Sequence, residues 1–174
     1  MRNLKNLETH FAFGKNWASY SALIDEPQIE EAKKGLLKLI PAEEFKGRSF
    51  LDIGCGAALH ALAAALLGVS RILAIDIDHD CVATSRAVLS NKNVAVPWRA
   101  DTLTIFNLDP AREGTFDIVY SWGVCTTLAI CGKRSLKLHR WLRRMDCSSL
   151  RFTVKHIWTS SGSLRNACTL ILPK

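Results

Sequence analysis

Apolar residues along this chain recur with two periods. In residues 28–40, QIEEAKKGLLKLI, Ile29, Ala32, Leu36, Leu39 and Ile40 fall at helical spacing with charges on the opposite side, which predicts an amphipathic helix opened by Pro27 in spite of Gly35. SFLDIG, RILAIDID, VAVPWRAD and FDIVYS are short apolar runs and predict strands over residues 50–53, 71–75, 94–98 and 116–120. Between the first two lies ALHALAAALLG, an Ala/Leu-rich helix closed by Gly68. After the second comes DCVATSRAVLSNKN, with Cys81, Val82, Ser85, Val88 and Leu89 on one face before the pattern breaks at the asparagines. Pro97 lacks a ladder donor, which pushes the third strand toward an edge. Strands alternating with helices predict an α/β fold, Rossmann-like and doubly wound, with parallel strands in the order 3-2-1-4 and helices on both faces.

The chain has 174 residues, 48% of them hydrophobic, enough for one core. No apolar run approaches the roughly 20 residues that span a bilayer, and MRNLKNLETHF lacks the apolar segment of a signal peptide, so a cytoplasmic protein is expected. Cysteines at positions 55, 81, 125, 131, 147 and 168 lack the paired spacing of a zinc site; free thiols and no metal are expected. The net charge of +7 would suggest a polyanionic partner, but its distribution argues against one. Residues 1–124 carry 13 Lys+Arg against 15 Asp+Glu, whereas residues 125–174 carry 10 Lys+Arg and Asp146 as the single acid. Composition changes at Val124, and the whole-chain charge describes neither part.

The strongest chemical signal is LDIGCG at the end of the first strand. Gly54 and Gly56 permit a sharp turn and close approach of a ligand, and the next helix offers free N–H groups. A glycine pair alone usually marks only a tight turn. Asp76 sharpens it: it ends the second strand, 22 residues after Gly54, where an acid can accept hydrogen bonds from both ribose hydroxyls. The plainer reading of Asp76, a solvated loop carboxylate, fits this strand–glycine–helix–strand context less well. Asp52, two residues before the first glycine, would repel a pyrophosphate but suits a ligand carrying a sulfonium and an ammonium. That favours S-adenosylmethionine over NAD.

FLDIGCGAALHALAAALLG, AIDID, RADTL and FDIVYSWGV resemble, in order and spacing, the cofactor motifs of class I S-adenosylmethionine-dependent methyltransferases, and are most similar to small-molecule enzymes of the ubiquinone-biosynthesis O-methyltransferase type. The resemblance runs from about Phe11 to Val124. It implies a cofactor domain over residues 1–124, with residues 1–48 as an N-terminal helical cover, and a small-molecule methyl acceptor. It also implies Asp52, Gly54 and Gly56 around the methionine part of the cofactor, Asp76 on the ribose, Ile77 on the adenine face and Asp101 near the adenine amino group. Ser121 and Trp122 would sit where the fourth strand opens over the cofactor, with Trp17 and Tyr20 as an apolar cover; Asp117 matches an acidic position at the start of that strand. Ala58 departs from a third glycine common in relatives, and costs about 1 kcal/mol if the position needs a positive φ. No catalytic base is identified. The rival readings are a non-catalytic cofactor or nucleic-acid binder and, disfavoured by Asp52, an NAD-dependent oxidoreductase.

After Val124, relatives continue with text similar to LHHTGDMWKAL, a helix, and a strand similar to GGLLFIAIY. Here the chain reads CTTLAICGK and, later, RMDCSSLRFTV. Read one base earlier, the codons of the first segment allow LHHTGDMWK, and those of the second allow DGLLFIAIY. One displacement accounts for both, and predicts that residues 125–174 are an out-of-frame basic tail, leaving the fifth strand missing, a sheet edge open beside the fourth, and activity impaired. A divergent tail for nucleic acid, suggested by LHRWLRRM, explains neither coincidence.

Overall fold

The computed structural model describes residues 14–122, together with the backbone of strands 151–158 and 164–171. Two helices lead in, α1 (Gly14–Ser21) and α2 (Glu26–Leu37), the second with Pro27 in its first turn. Then follow β1 (Ser49–Ile53), α3 (Leu59–Leu66), β2 (Arg71–Asp76), α4 (His79–Asn91), β3 (Trp98–Thr102), a short α5 (Pro110–Glu113) and β4 (Ile118–Trp122). The four strands lie in the order β3-β2-β1-β4 with every pairing parallel, as expected.

Alternation along the strands sorts their side chains to two faces. Phe50, Ile72, Ile118 and Tyr120 pack with α2, α3 and the buried side of α4. Leu51, Ile53, Leu73, Ile75 and Val119 face the other way, onto Leu108, Phe116 and Ile105, the last on a short 3-10 turn (Ile105–Asn107).

Two strands start later than the sequence pattern predicts. β3 begins at Trp98, four residues on. Pro97 has no N–H to give and instead accepts from the Ile72 N–H (2.9 Å), while Val94 and Val96 pack on the core from an irregular segment. β4 begins at Ile118, two residues late, because Ser49 Oγ accepts the Asp117 N–H (2.9 Å) and so ends the ladder there. Asp117 is a structural clamp at the amino ends of β1 and β4. Its Oδ2 accepts from Ser49 N (2.8 Å) and Ser49 Oγ (2.7 Å). Partial burial opposes its charge, but these hydrogen bonds and Arg48 outweigh it and hold the carboxyl below its ordinary range.

Beyond β4 the pairing turns antiparallel. β6 (Leu164–Ile171) lies against β4, and β5 (Arg151–Trp158) against β6. The edge expected to be open beside β4 is therefore occupied, though not by a parallel fifth strand. Residues 123–150, where the change of character and most of the proposed frame displacement fall, lie outside the described residues. No described helix is long and apolar enough to cross a membrane.

Candidate functional site

The parallel register brings the carboxyl ends of three neighbouring strands together. Gly54 follows β1, Asp76 ends β2, and Asp101 sits one residue before the end of β3, paired with Ile75. The turn after β1 needs its glycines: Gly54 and Gly56 have φ of 75° and 55°. Gly54 and Cys55 both donate to Ile75 O (2.7 and 3.1 Å), and Gly56 N donates to Asp76 Oδ2 (3.1 Å). The acid of β2 and the glycine turn of β1 thus form one unit, as their spacing implies. Asp76 Oδ1 accepts a further N–H from Asp78 (3.0 Å). Burial nonetheless holds the Asp76 carboxyl above its ordinary range.

Asp52 lies beneath this turn, fully buried and without a cationic partner among the described residues. Burial, reinforced by Asp76 and only partly offset by a backbone hydrogen bond from Ala61, pushes its carboxyl up to about 7. Desolvation and the nearby Asp76 charge together raise the proton affinity of Asp52, and a positive ligand beside it would lower that affinity again. Ala58, at the mouth of α3, has φ 56° and ψ 25°, the left-handed conformation that the expected third glycine would have served.

Of the expected N-terminal cover, residues 1–13 lie outside the described residues, and α1 lies against α4 and the glycine turn. Gly14 N donates to Asp78 Oδ2 (3.0 Å), pinning the start of α1 to the cap of α4. From there Trp17 reaches Gly56: a Cβ added to that glycine would lie 2.7 Å from the indole. Tyr20 meets Trp17 edge-on at 5.6 Å. Ile77 is partly exposed on the loop after β2, an uncommon setting for isoleucine and suited to an aromatic ligand face. Ser121 is placed otherwise. It is buried and donates to Ile53 O (3.1 Å), so its hydroxyl ties β4 to β1.

Asp101 is not a bare carboxylate. Arg99 donates to its Oδ2, and Arg86 of α4 stands 3.5 Å from its Oδ1. Periodicity singles out neither Arg86 nor Asp78, and it places Ser85 on the apolar face of α4 without a polar partner. Ser85 Oγ donates to Gly56 O (2.9 Å) and contacts Cys55 Sγ (3.2 Å), fastening the glycine turn to α4. Its signal in sequence was a serine within an apolar helical face. Cys55 and Cys81 are free and buried, as expected; burial raises both thiols, Cys81 to about 12.

A separate cleft of about 360 Å³ opens between α2, α3 and β4, lined by Tyr20, Gln28, Leu59, His60, Tyr120 and Trp122 among others. It includes none of Gly54, Gly56, Asp76 or Asp101, since the space above Gly56 is filled by Trp17. His60 stacks between Tyr120 (4.9 Å) and Trp122 (5.9 Å), and burial lowers its imidazole to about 4, so it is neutral at physiological pH.

A glycine turn joined to an acid at the end of the next parallel strand, over a buried carboxylate, fits a class I methyltransferase, whose methyl donor is S-adenosylmethionine. Solved structures agree on the fold. An O-methyltransferase from Bacillus cereus superposes with TM-score 0.56 at 13% identity, covering 96% of this chain and 94% of that one. The O-methyltransferase TomG from Streptomyces achromogenes gives 0.53 at 15%, covering 98% and 94%. In sequence, the profile of ribosomal protein L11 methyltransferase (PrmA) matches residues 32–128, and the chain belongs to that family. The Thermotoga maritima ribosomal protein L11 methyltransferase is 40% identical over 78 residues, 44% of this chain but only 27% of that protein, so the matched part spans about a quarter of the relative. These names correct one expectation. The acceptor implied by a resemblance to small-molecule enzymes is overturned, because the relatives that match in sequence are named for a protein substrate. The motifs quoted for that resemblance are cofactor motifs common to class I methyltransferases, so by themselves they do not single out an acceptor.

Proposed function

We propose that this chain binds S-adenosylmethionine across the carboxyl ends of β1, β2 and β3, and that its family's reaction delivers the methyl group to a protein. The observation that carries the cofactor reading is the buried Asp52, without a cation among the described residues, under a glycine turn whose N–H already meets Asp76. When bound, the cofactor supplies an electrophilic methyl on a sulfonium. Asp52 and Asp76 would balance its positive charges, Asp76 accepting from the ribose hydroxyls at the cost of its present contact with Gly56 N. Ile77 would cover one adenine face and Asp101 would receive its amino group. Methyl transfer is an in-line displacement, so these residues act by holding and orienting rather than by proton transfer. Asp76→Ala should weaken S-adenosylmethionine binding by roughly 1–3 kcal/mol, the usual worth of hydrogen bonds to a charged acceptor. Calorimetry on both forms checks this, and an unchanged Kd would remove Asp76 from the site.

A protein acceptor is supported by the family match, which ends four residues after Val124, where the chain's composition changes. We read the rest as out of frame, so the chain keeps the cofactor half and lacks the segment that would hold an acceptor in line. A gene with one base added near the Val124 codon should give a protein that transfers labelled methyl groups to ribosomal protein L11, while the 174-residue chain should bind cofactor yet leave L11 near background. Robust labelling by the 174-residue chain would refute the frame reading. Failure of the restored protein to label L11 would refute the acceptor.

A further inference from the structure

Asp101 is the one proposed cofactor contact held by side chains from two other directions. Arg86, on α4, forks its Nε and Nη2 onto Ala100 O (2.9 and 2.6 Å), the carbonyl immediately before Asp101, and its Nη2 lies 3.5 Å from Asp101 Oδ1. Arg99 engages Oδ2 and is itself drawn toward Glu113 of α5. A short carboxylate on an edge strand would ordinarily turn freely in water. Here each oxygen faces a guanidinium, and the peptide preceding it is gripped as well.

We propose that Arg86 is a positioning residue for purine recognition. By fixing the Ala100 peptide and one Asp101 oxygen, it holds the carboxylate in a single orientation, so that a remaining lone pair is aimed at an exocyclic amino group. A carboxylate accepts at about four lone-pair sites, and the two arginines leave room for such a donor. The pocket would therefore select a 6-amino purine over a 6-oxo purine, whose carbonyl would confront the acceptor with another acceptor. Arg86 also serves a plainer purpose, satisfying an edge carbonyl, and that role alone would produce no base preference. The inference rests on the proposed placement of adenine beside Asp101.

The test compares S-adenosylhomocysteine with S-inosylhomocysteine by calorimetry on the 174-residue chain and on Arg86→Met, Arg86→Lys and Asp101→Asn. The parent should favour the adenosyl ligand by about tenfold or more, the worth of one hydrogen bond to a charged acceptor. Arg86→Met should cut that preference severalfold, mainly by losing adenosyl affinity. Arg86→Lys, which keeps the charge but not the fork, should fall between. Arg86 is largely exposed, so both variants should keep the parental urea midpoint within experimental error. Loss of preference in Asp101→Asn but not in the Arg86 variants would overturn the role of Arg86 and leave the adenine placement standing. Parental preference unchanged in Asp101→Asn, or no binding of either ligand by the parent, would overturn the placement and this inference together.

Discussion

Asp52→Asn is expected to stabilise the cofactor-free chain at pH 8 by about 2–4 kcal/mol and to weaken its hold on the cofactor at the same time. The carboxyl takes up its proton near pH 7 in the native state and near 3.8 when unfolded. Between those values the native state binds more protons, so the contribution of this group to stability is complete below about pH 4 and is lost as pH rises through 7. Asparagine resembles the protonated acid at every pH and can still accept from Ala61. The gap between urea midpoints should be clearly smaller at pH 5, where only the unfolded acid is ionised, than at pH 8, where both states are. An equal difference at both pH values would show that the change acts through packing instead. Binding adds an independent check. A sulfonium and an ammonium favour the ionised acid, so cofactor affinity should fall by up to about tenfold per pH unit below 7, with nearly one proton released on binding at pH 6. The asparagine variant should show neither effect.

The second large effect is expected at Ala58. It is fully buried with φ 56°, and it accepts the first helical hydrogen bond of α3 from Leu62 N (2.9 Å). Ala58→Val should cost about 3–5 kcal/mol: a β-branched residue is a steric outlier in the left-handed region, and two extra methyl groups would enter a filled interior. Ala58→Gly should stay within about 1 kcal/mol of the parent, since relief of backbone strain is offset by a lost buried methyl and by greater freedom of the unfolded chain. Urea denaturation of the three forms separates these cases. A tolerated valine would mean that the turn relaxes to negative φ, and that the third-glycine position is not conformationally special here.

Much of this fold was legible because its signals are local. β1 and β2 are short apolar runs bounded by glycine and charged residues, and no proline disturbs their ladders. β3 was misplaced because Val94 and Val96 look like strand residues and do reach the core, yet hydrogen bonding rather than hydrophobicity sets where a ladder begins. Asp52, Gly54, Gly56 and Asp76 could be read from spacing, since each is fixed by its position relative to the end of a strand. Ser85 and Arg86 could not. Their contacts with Gly56 O and Ala100 O depend on how α4 is rotated against the sheet, and periodicity gives a helix's buried side without saying which backbone group it meets. Ser121 shows the converse: a polar residue at a strand end looked ligand-facing, but the pleat turns it inward to Ile53 O.

The indole of Trp17 rests directly over Gly56. A ligand group seated directly against Gly56 would have to displace this ring, and α1 is fastened at its start by the Gly14–Asp78 hydrogen bond. The arrangement also puts an indole against the glycine turn, whose emission can be isolated from that of the chain's four other tryptophans by comparison with Trp17→Phe.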